Sequence, residues 1–311
     1  MEDQITLTAQ DVADLLRIAK NTVYELVKRG ELNHYRVGRK MRFSNRDVES
    51  YISRARQGAS QAEDSEREVG QAPQPQSSFV ICGQDPFLDA LIGFLSRRPD
   101  VERPVQRSYV DSYRGLVSLY FGDVQAAAIN LWDGDSNQYN VPFVRKFLPG
   151  LPAVVVRLAT RVQGFYVPAG NPKDVRSWSD LKRADLSFIN RDKGSGTRVL
   201  FDEQLRLQGV GSHNVIGYQR EEPSHLAVAG AVSRKEADVG LGNQATAVVV
   251  EGIDFVPLQQ EQYDLVFRRR DLGQPLVRTI MKILPSREFR DQLQFMRGYE
   301  VTGMGEVVAE T

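Results

Sequence analysis

The sequence predicts an α/β chain in two parts, a small helix-turn-helix unit with a wing at the N-terminus and a larger α/β body. Three observations predict it. Residues 57–78, QGASQAEDSEREVGQAPQPQSS, hold one aliphatic residue beyond alanine, Val69, among Gln, Ser, Gly, Pro and acids; such a stretch buries too little surface to offset its ordering entropy. Before it, apolar residues recur at helical spacing in two short runs, followed by a basic hairpin. After it, strand-like apolar runs alternate with helix-periodic ones, as in α/β folds with mainly parallel sheets. The domains therefore read as 1–56, a flexible linker 57–78 whose PQPQ portion is locally extended, and a body 79–311.

Composition narrows the function classes. Apolar residues make up 41% of the 311 positions, ample for a core, and 40 Lys and Arg balance 40 Asp and Glu. The chain as a whole thus carries no nucleic-acid or membrane footprint. Locally, residues 1–58 hold 11 basic against 8 acidic side chains, and 59–78 hold 1 against 4. The single Cys82 excludes an internal disulfide and a multi-cysteine metal site, and in FVIC it reads as a buried inert thiol. The polar start MEDQITLTAQ has no apolar core for export, and no run approaches the roughly 20 apolar residues of a membrane helix. A soluble, cytoplasmic protein with no membrane partner is expected.

In the N-terminal unit, Thr8 and Asp11 form a capping-box-like start, although Glu or Gln is the usual partner. Val12, Leu15 and Leu16 give one apolar stripe. Asn21 is expected to cap a second helix with Val23, Leu26 and Val27 inward, and Gly30 to end it in a left-handed conformation. Two short helices about a tight turn make a helix-turn-helix. HYRVGRKMRFS then suits a two-stranded wing with a basic tip at Gly38. LTAQDVADLL, NTVYELVKRGEL, YRVGRKMRF and NRDVESYI together resemble the excisionase and MerR-type winged helix over about 50 residues. The second helix would lie in the major groove of a double-stranded DNA operator and present Lys20, Asn21, Thr22 and Tyr24. Arg36, Arg39, Lys40 and Arg42 would hold phosphates or an adjacent minor groove. His34 receives no role.

In the body, FVICG, AAAINL, AVVVRLA, GFYVPAG, LSFIN, VGLG and DFVPL read as strands, and DPFLDALIGFLSRR as a helix. The tail LPSREFRDQLQFMRGYEVTGMGEVV reads as a terminal helix with a Gly-rich end. The decisive stretch is NRDKGSGTRVLFDEQL, where LSFIN supplies a strand and VLFDEQL a helix. Gly194 and Gly196 permit the tight turn between them. The free amides of that helix, with the Ser195 and Thr197 hydroxyls, form anion-binding geometry, and Arg198 adds charge or anchors the loop. A P-loop is excluded because no lysine follows the second glycine. The GxSxG elbow is excluded by spacing, and among three histidines only His225 suits a general base for Ser195.

GQDPFLDAL, YRGLVSLYFGDVQAAAINLWD, YNVPFV, TRVQGFYVPAGNP, FINRDKGSGTRVLFDEQL, IGYQREEPSHLAVAGAVSRKEADVGLG and FVPLQQEQYDLV follow in order from about residue 79 to 268. They resemble the type II periplasmic-binding-protein-like ligand domain fused to a helix-turn-helix in bacterial one-component regulators. They are also similar to the domain appended to some molybdenum-cofactor biosynthesis proteins. The resemblance implies two α/β lobes joined by crossing strands, with ligand in the cleft between them. It places Gly83, Gln84, Asp85, Tyr139 and Asn140 in that cleft. From the second lobe it adds Arg161, Gln163, Asn190, Arg191 and the turn Gly194, Ser195, Gly196, Thr197, with Glu222, Ser224 and His225 nearby. Tyr263 and Asp264 return the chain to the first lobe. Two positions depart from the family pattern: Gln84 replaces a Ser- and His-bearing loop, and Asn130 replaces the histidine of an HL pair.

The implied function is a ligand-responsive, homodimeric transcription regulator with no catalytic residue, metal or cofactor. The family association points to molybdate or tungstate as effector. Glu221 and Glu222 would oppose a bare dianion, salt-bridge Arg191 or Arg198, or contact a larger ligand such as a pterin. The rival reading is an enzyme or accessory protein of molybdenum-cofactor biosynthesis.

Overall fold

The structure is a computed structural model that describes residues 6–16, 20–28, 32–37, 40–44, 47–48, 78–101 and 103–311. The chain folds as two compact units, Met1–Pro73 and Gln74–Thr311.

The first unit runs β1 (Thr6–Leu7), α1 (Ala9–Leu16), α2 (Lys20–Lys28), β2 (Tyr35–Val37) and β3 (Lys40–Ser44). The α1 start is a reciprocal cap: Asp11 Oδ2 accepts from Thr8 N at 2.8 Å, and Thr8 Oγ1 accepts from Asp11 N at 3.2 Å. A shorter acid therefore performs the task usually given to Glu. Val12, Ala13, Val23, Leu26, Leu32 and Phe43 form the core. Leu15 departs from the expected stripe and is exposed; Ala9 and Ala13 take the inward positions instead. Asn21 also departs from its expected cap role, because α2 already begins at Lys20. The wing gains a third strand, since β1 pairs antiparallel with β3 in the order β1-β3-β2. Gly30, Gly38, Arg39, most of NRDVESYI and linker residues 57–77 lie outside the described residues.

The second unit begins with β4 (Phe79–Cys82), α3 (Phe87–Ser96), β5 (Val105–Ser108), α4 (Ser112–Phe121) and β6 (Ala126–Ile129). β4 lies parallel between β5 and β6. A small hairpin, β7 (Trp132–Asp133) and β8 (Gln138–Tyr139), leads to α5 (Val141–Phe147) and then to β9 (Ala153–Pro168). Next come β10 (Phe188–Arg191), α6 (Gly196–Gln208), β11 (Glu221–Glu222), α7 (His225–Ser233), β12 (Val239–Asn243) and α8 (Gln244–Ala247). The chain returns along β13 (Ile253–Arg268) and ends with α9 (Pro275–Ile283), α10 (Arg287–Leu293), β14 (Tyr299–Glu300) and β15 (Val307–Glu310).

β9 and β13 organise this unit. Each is 16 residues long, about 50 Å of extended chain, and they pair antiparallel along their length. Their outer halves belong to different lobes. β6 joins β13 at Asp264–Phe267, while β12 joins β9 at Gln163–Tyr166. β4–β6 in one lobe and β10–β12 in the other are parallel, as the alternation implies, but the crossing pair and the tail strands β14 and β15 make the whole sheet mixed. AVVVRLA and GFYVPAG, read as two strands, are one. The polar residues between them stay in the strand because Arg161 and Gln163 both donate to Glu261 on the paired strand. DFVPL likewise continues through QQEQ into YDLVFR.

Each lobe carries cores on both sheet faces. In the first, Phe87, Leu91, Val277 and Phe289 cover one face and Leu116, Leu119 and Val144 the other. In the second, Leu200 and Phe201 cover one face and Val228 and Val232 the other. Cys82 lies in the core, and burial pushes its thiol up to about 11. No helix among the described residues is long and apolar enough to cross a membrane.

Candidate functional site

The crossing strands leave a cleft of about 810 Å³ between the lobes. Its floor is a charged cluster. Arg161, 3% exposed, donates one Nη to Asp85 and the other to Glu261, while its guanidinium lies over the Tyr263 ring at 4.4 Å. Burial opposes the Arg161 charge, but Glu261 and Asp85 overcome it and hold the pKa above its ordinary value. Asp85 is engaged further, accepting from Phe87 N and Tyr299 OH at 2.8 Å each. Asn130 links the floor to the wall: Nδ2 donates to Glu261 at 3.0 Å and Oδ1 accepts from Ser112 Oγ at 2.9 Å.

The GSGT turn forms the wall of the second lobe. Ser195 caps α6, its Oγ accepting from Arg198 N at 3.2 Å and donating to Asp192 O at 2.9 Å. The first-turn amides of Gly196 and Thr197 have no intrahelical acceptor and stand on the cleft lining. Both glycines are required here. Gly194 has φ +92, and a Cβ on it would lie 2.6 Å from Asp111 Oδ1; a Cβ on Gly196 would collide with Asn130. The turn is therefore pressed against the opposite lobe. Tyr113 N donates to Gly194 O at 3.2 Å, and Arg191 Nη2 donates to Gln84 Oε1 at 2.7 Å. These contacts cross from lobe to lobe, so the described conformation is closed.

Of the positions expected in the cleft, Gly83, Gln84, Asp85, Arg161, Arg191, Ser195, Gly196, Thr197, Ser224, His225 and Tyr263 line it. The others stand elsewhere, each for a visible reason. Tyr139 is carried by the β7–β8 hairpin into the second lobe's core, where its hydroxyl accepts from Gln259 at 2.7 Å. Asn140 is fully buried, bonded to Leu131 N, Gln262 O and Asp264. Gln163 sits behind Arg161, and Asn190 donates to Tyr218 O at 2.8 Å. Gly194 packs on Asp111, and Glu222 offers its carbonyl to Arg191 Nε at 3.2 Å. Arg198 turns away from the cleft to Asp202 and Glu221 and lies over the Tyr218 ring at 4.4 Å. It anchors the loop, the second of the two roles its position suggests.

The sequence reading missed Asp111 and Ser112 at the start of α4, Glu261, and the mouth residues Tyr109, Leu226, Val248, Val249, Phe295 and Tyr299. Asp111 had a local signal. It precedes a helix-periodic run and caps it by accepting from Arg114 N at 2.8 Å. The tail residues had none, because β14 reaches the site only by pairing with Thr160 and Arg161.

Several buried polar atoms of the cleft-lining residues lack partners. Arg161 Nε, Tyr263 OH and His225 Nδ1 are buried without one. Burial, with Arg191 and Arg161 nearby, holds the His225 pKa well below its ordinary value, so the ring is neutral. The Ser195 hydroxyl proton is directed to a carbonyl, which leaves none for His225 to take.

In the first unit, Lys20, Asn21, Thr22 and Tyr24 all lie on the exposed side of α2, with Val23 and Leu26 inward. Arg36 stands opposite Met41 and Lys40 opposite Val37 in the wing register. Arg42 is partly buried and donates to Met41 O at 2.9 Å.

A PBP superfamily domain matches residues 94–285 and a helix-turn-helix domain matches residues 6–56. The chain belongs to the PBP superfamily. YvgK of Bacillus subtilis (strain 168) is 38% identical over 313 residues, covering 100% of both chains. Among solved structures, a phosphate-bound substrate-binding protein from Clostridium perfringens matches with a TM-score of 0.53 and 16% identity, over 72% of this chain and 99% of that one. A peroxide-bound OxyR mutant from Corynebacterium glutamicum matches with a TM-score of 0.50 and 14% identity, over 92% of this chain and 89% of that one. At such identities the likeness is one of fold. This PBP-superfamily chain joins a DNA-binding helix-turn-helix domain to a ligand-binding domain, the composition of a ligand-responsive regulator.

Proposed function

We propose that the protein is a cytoplasmic transcription regulator whose hold on operator DNA is set by a small molecule in the interlobe cleft. The observation that carries this reading is the set of partnerless buried groups, Arg161 Nε, Tyr263 OH and His225 Nδ1, at the wall and floor of a cleft of about 810 Å³. A buried polar atom without a partner costs about 1–3 kcal/mol, and a ligand that supplies partners recovers it. Ligand would shift the opening equilibrium by its differential affinity for the closed arrangement. Pairing into a homodimer would let closure change the spacing of two DNA-binding units on adjacent half-sites.

Molybdate and tungstate are the inorganic candidates for the effector, supported by the α6 N-terminus and the hydroxyl of Thr197. An enzymatic reading finds less support, because Ser195 is committed to its cap and to Asp192 O.

The test is DNA affinity of the full chain, on duplexes enriched from a random-sequence library, with and without a low-molecular-mass cell extract. Lys40→Ala with Arg42→Ala should weaken binding across all sequences and lower the salt slope by about 1 per lost phosphate contact. Ser195→Ala with Thr197→Ala should retain extract-free affinity and lose the response to extract. A double variant that responds like the parent would refute the reading.

A further inference from the structure

We infer that the effector is a small organic molecule with one acceptor-bearing polar head and an apolar body, in place of a free inorganic dianion. The inference rests on the reading of the cleft as the effector site and concerns what the cleft accepts.

Charge comes first. The guanidiniums of Arg161 and Arg191 meet three carboxylates at or behind the floor, Asp85, Asp111 and Glu261, and all five residues are under a tenth exposed. Arg107, its side chain 5% exposed and donating to Gly83 O, is the third buried cation here, so the side-chain charges at the floor are matched. Nor are the two arginines free to clasp a tetrahedral anion, since Arg191 Nη1 is the one guanidinium Nη of the pair without a hydrogen bond. Both Arg161 Nη atoms bond carboxylates. Arg191 Nη2 donates to Gln84, Asp192 and Pro223 O, and its Nε to Glu222 O. A divalent ion would have to shed its water into a site whose cations are already matched. Beside the free first-turn amides of α6, the groups still lacking partners are neutral or single donors: the hydroxyl of Tyr263, a residue 2% exposed, Arg161 Nε, and the neutral His225 ring. They suit a head with a carbonyl or one carboxylate as acceptor and a hydroxyl or N–H to pair with His225.

The mouth supplies the second observation. Phe295 is 82% exposed, Val249 73%, Tyr109 66%, Leu226 60% and Val248 50%, yet all five border this one cleft. They come from both lobes: Tyr109 follows β5 and Phe295 follows α10, whereas Leu226 begins α7 and Val248 and Val249 follow α8. Large apolar side chains gathered on an exposed rim mark a surface that a ligand or partner covers. Here both lobes contribute to the border of a single cleft, so the occupant they fit lies in it. A cleft of about 810 Å³ lies within the range of drug-sized ligand sites, and a five-atom oxyanion would leave most of it to water.

The probe is 8-anilinonaphthalene-1-sulfonate, which carries one anionic head and an aromatic body, titrated into the full chain by fluorescence. Sodium molybdate, tungstate, sulfate and phosphate are titrated in parallel by calorimetry to about 1 mM. The expected result is a single saturable dye site whose Kd rises about tenfold in the Val249→Ser/Phe295→Ser variant, with no saturation by any oxyanion. Both substituted side chains are exposed, so the variant keeps its fold, checked by its melting temperature. No dye site, a dye site untouched by the double substitution, or an oxyanion that saturates one site below about 100 μM would each overturn the inference. DNA affinity separates the two readings. An oxyanion that binds and changes DNA affinity removes the organic class and keeps the regulator. Dye binding as expected, with DNA affinity indifferent to the low-mass extract, keeps the ligand class and removes the regulator.

Discussion

Arg161 is the residue on which the second unit turns. It lies on a crossing strand, bonds a carboxylate 76 residues before it and another 100 residues after it, and stacks on Tyr263. Removing one partner of a buried pair leaves an uncompensated charge, which costs about 3–5 kcal/mol. Here two carboxylates would be stranded, so Arg161→Ala should lose at least that in urea-induced unfolding of the second unit's transition. A loss under about 1 kcal/mol would mean that Asp85 and Glu261 are solvated in a way their burial contradicts. Placing Arg161 in the cleft was within reach of a family resemblance. The resemblance also placed its partner Asp85 there but not Glu261, which stands in the uniformly polar run QQEQ. Arg198 shows the converse: its position after GSGT suggests an anion contact, yet Asp202 one turn on and Glu221 on the neighbouring strand take it away.

At the scale of elements, the strand–turn–helix at GSGT was legible because glycine spacing and a helical run agree, whereas Ser195, read as an anion donor, spends its hydroxyl on the helix cap and Asp192 O. The lengths of β9 and β13 were not legible. Their middles are polar, and pairing with each other, with β12 at Gln163 and with β14 at Arg161 keeps Arg161, Gln163 and Glu261 in extended chain. The fit of the turn against the first lobe gives a prediction of its own. A methyl group on Gly196 meets the Asn130 side chain and its carbonyl across the interlobe boundary. Overpacking of this kind costs about 1–3 kcal/mol, and the collision is relieved by opening. Gly196→Ala should therefore lower the melting temperature and enlarge the radius of gyration in small-angle scattering. An unchanged scattering profile would show that Asn130 yields within the closed arrangement.

For the whole molecule, composition alone separates a basic N-terminal segment from an α/β body, and the compact units divide at Pro73 and Gln74, within the polar stretch. The alternation of runs gives the α/β class, while the mixed sheet follows from the two crossing strands, whose antiparallel pairing no local pattern reveals. A closed cleft with partnerless polar groups inside and apolar side chains at its mouth is what a ligand-binding domain needs, and a helix with Lys20, Asn21, Thr22 and Tyr24 outward is what a DNA-binding unit needs. The central claim is that the effector acts from within this cleft. Hydrogen exchange of the full chain, with and without the low-molecular-mass extract, tests it most directly. The account predicts slowed exchange of the Gly196–Val199 amides and of the segment from Phe295 to Tyr299, lost in the Ser195→Ala/Thr197→Ala variant. Unchanged exchange at both segments, under conditions where DNA affinity does respond to the extract, would contradict it.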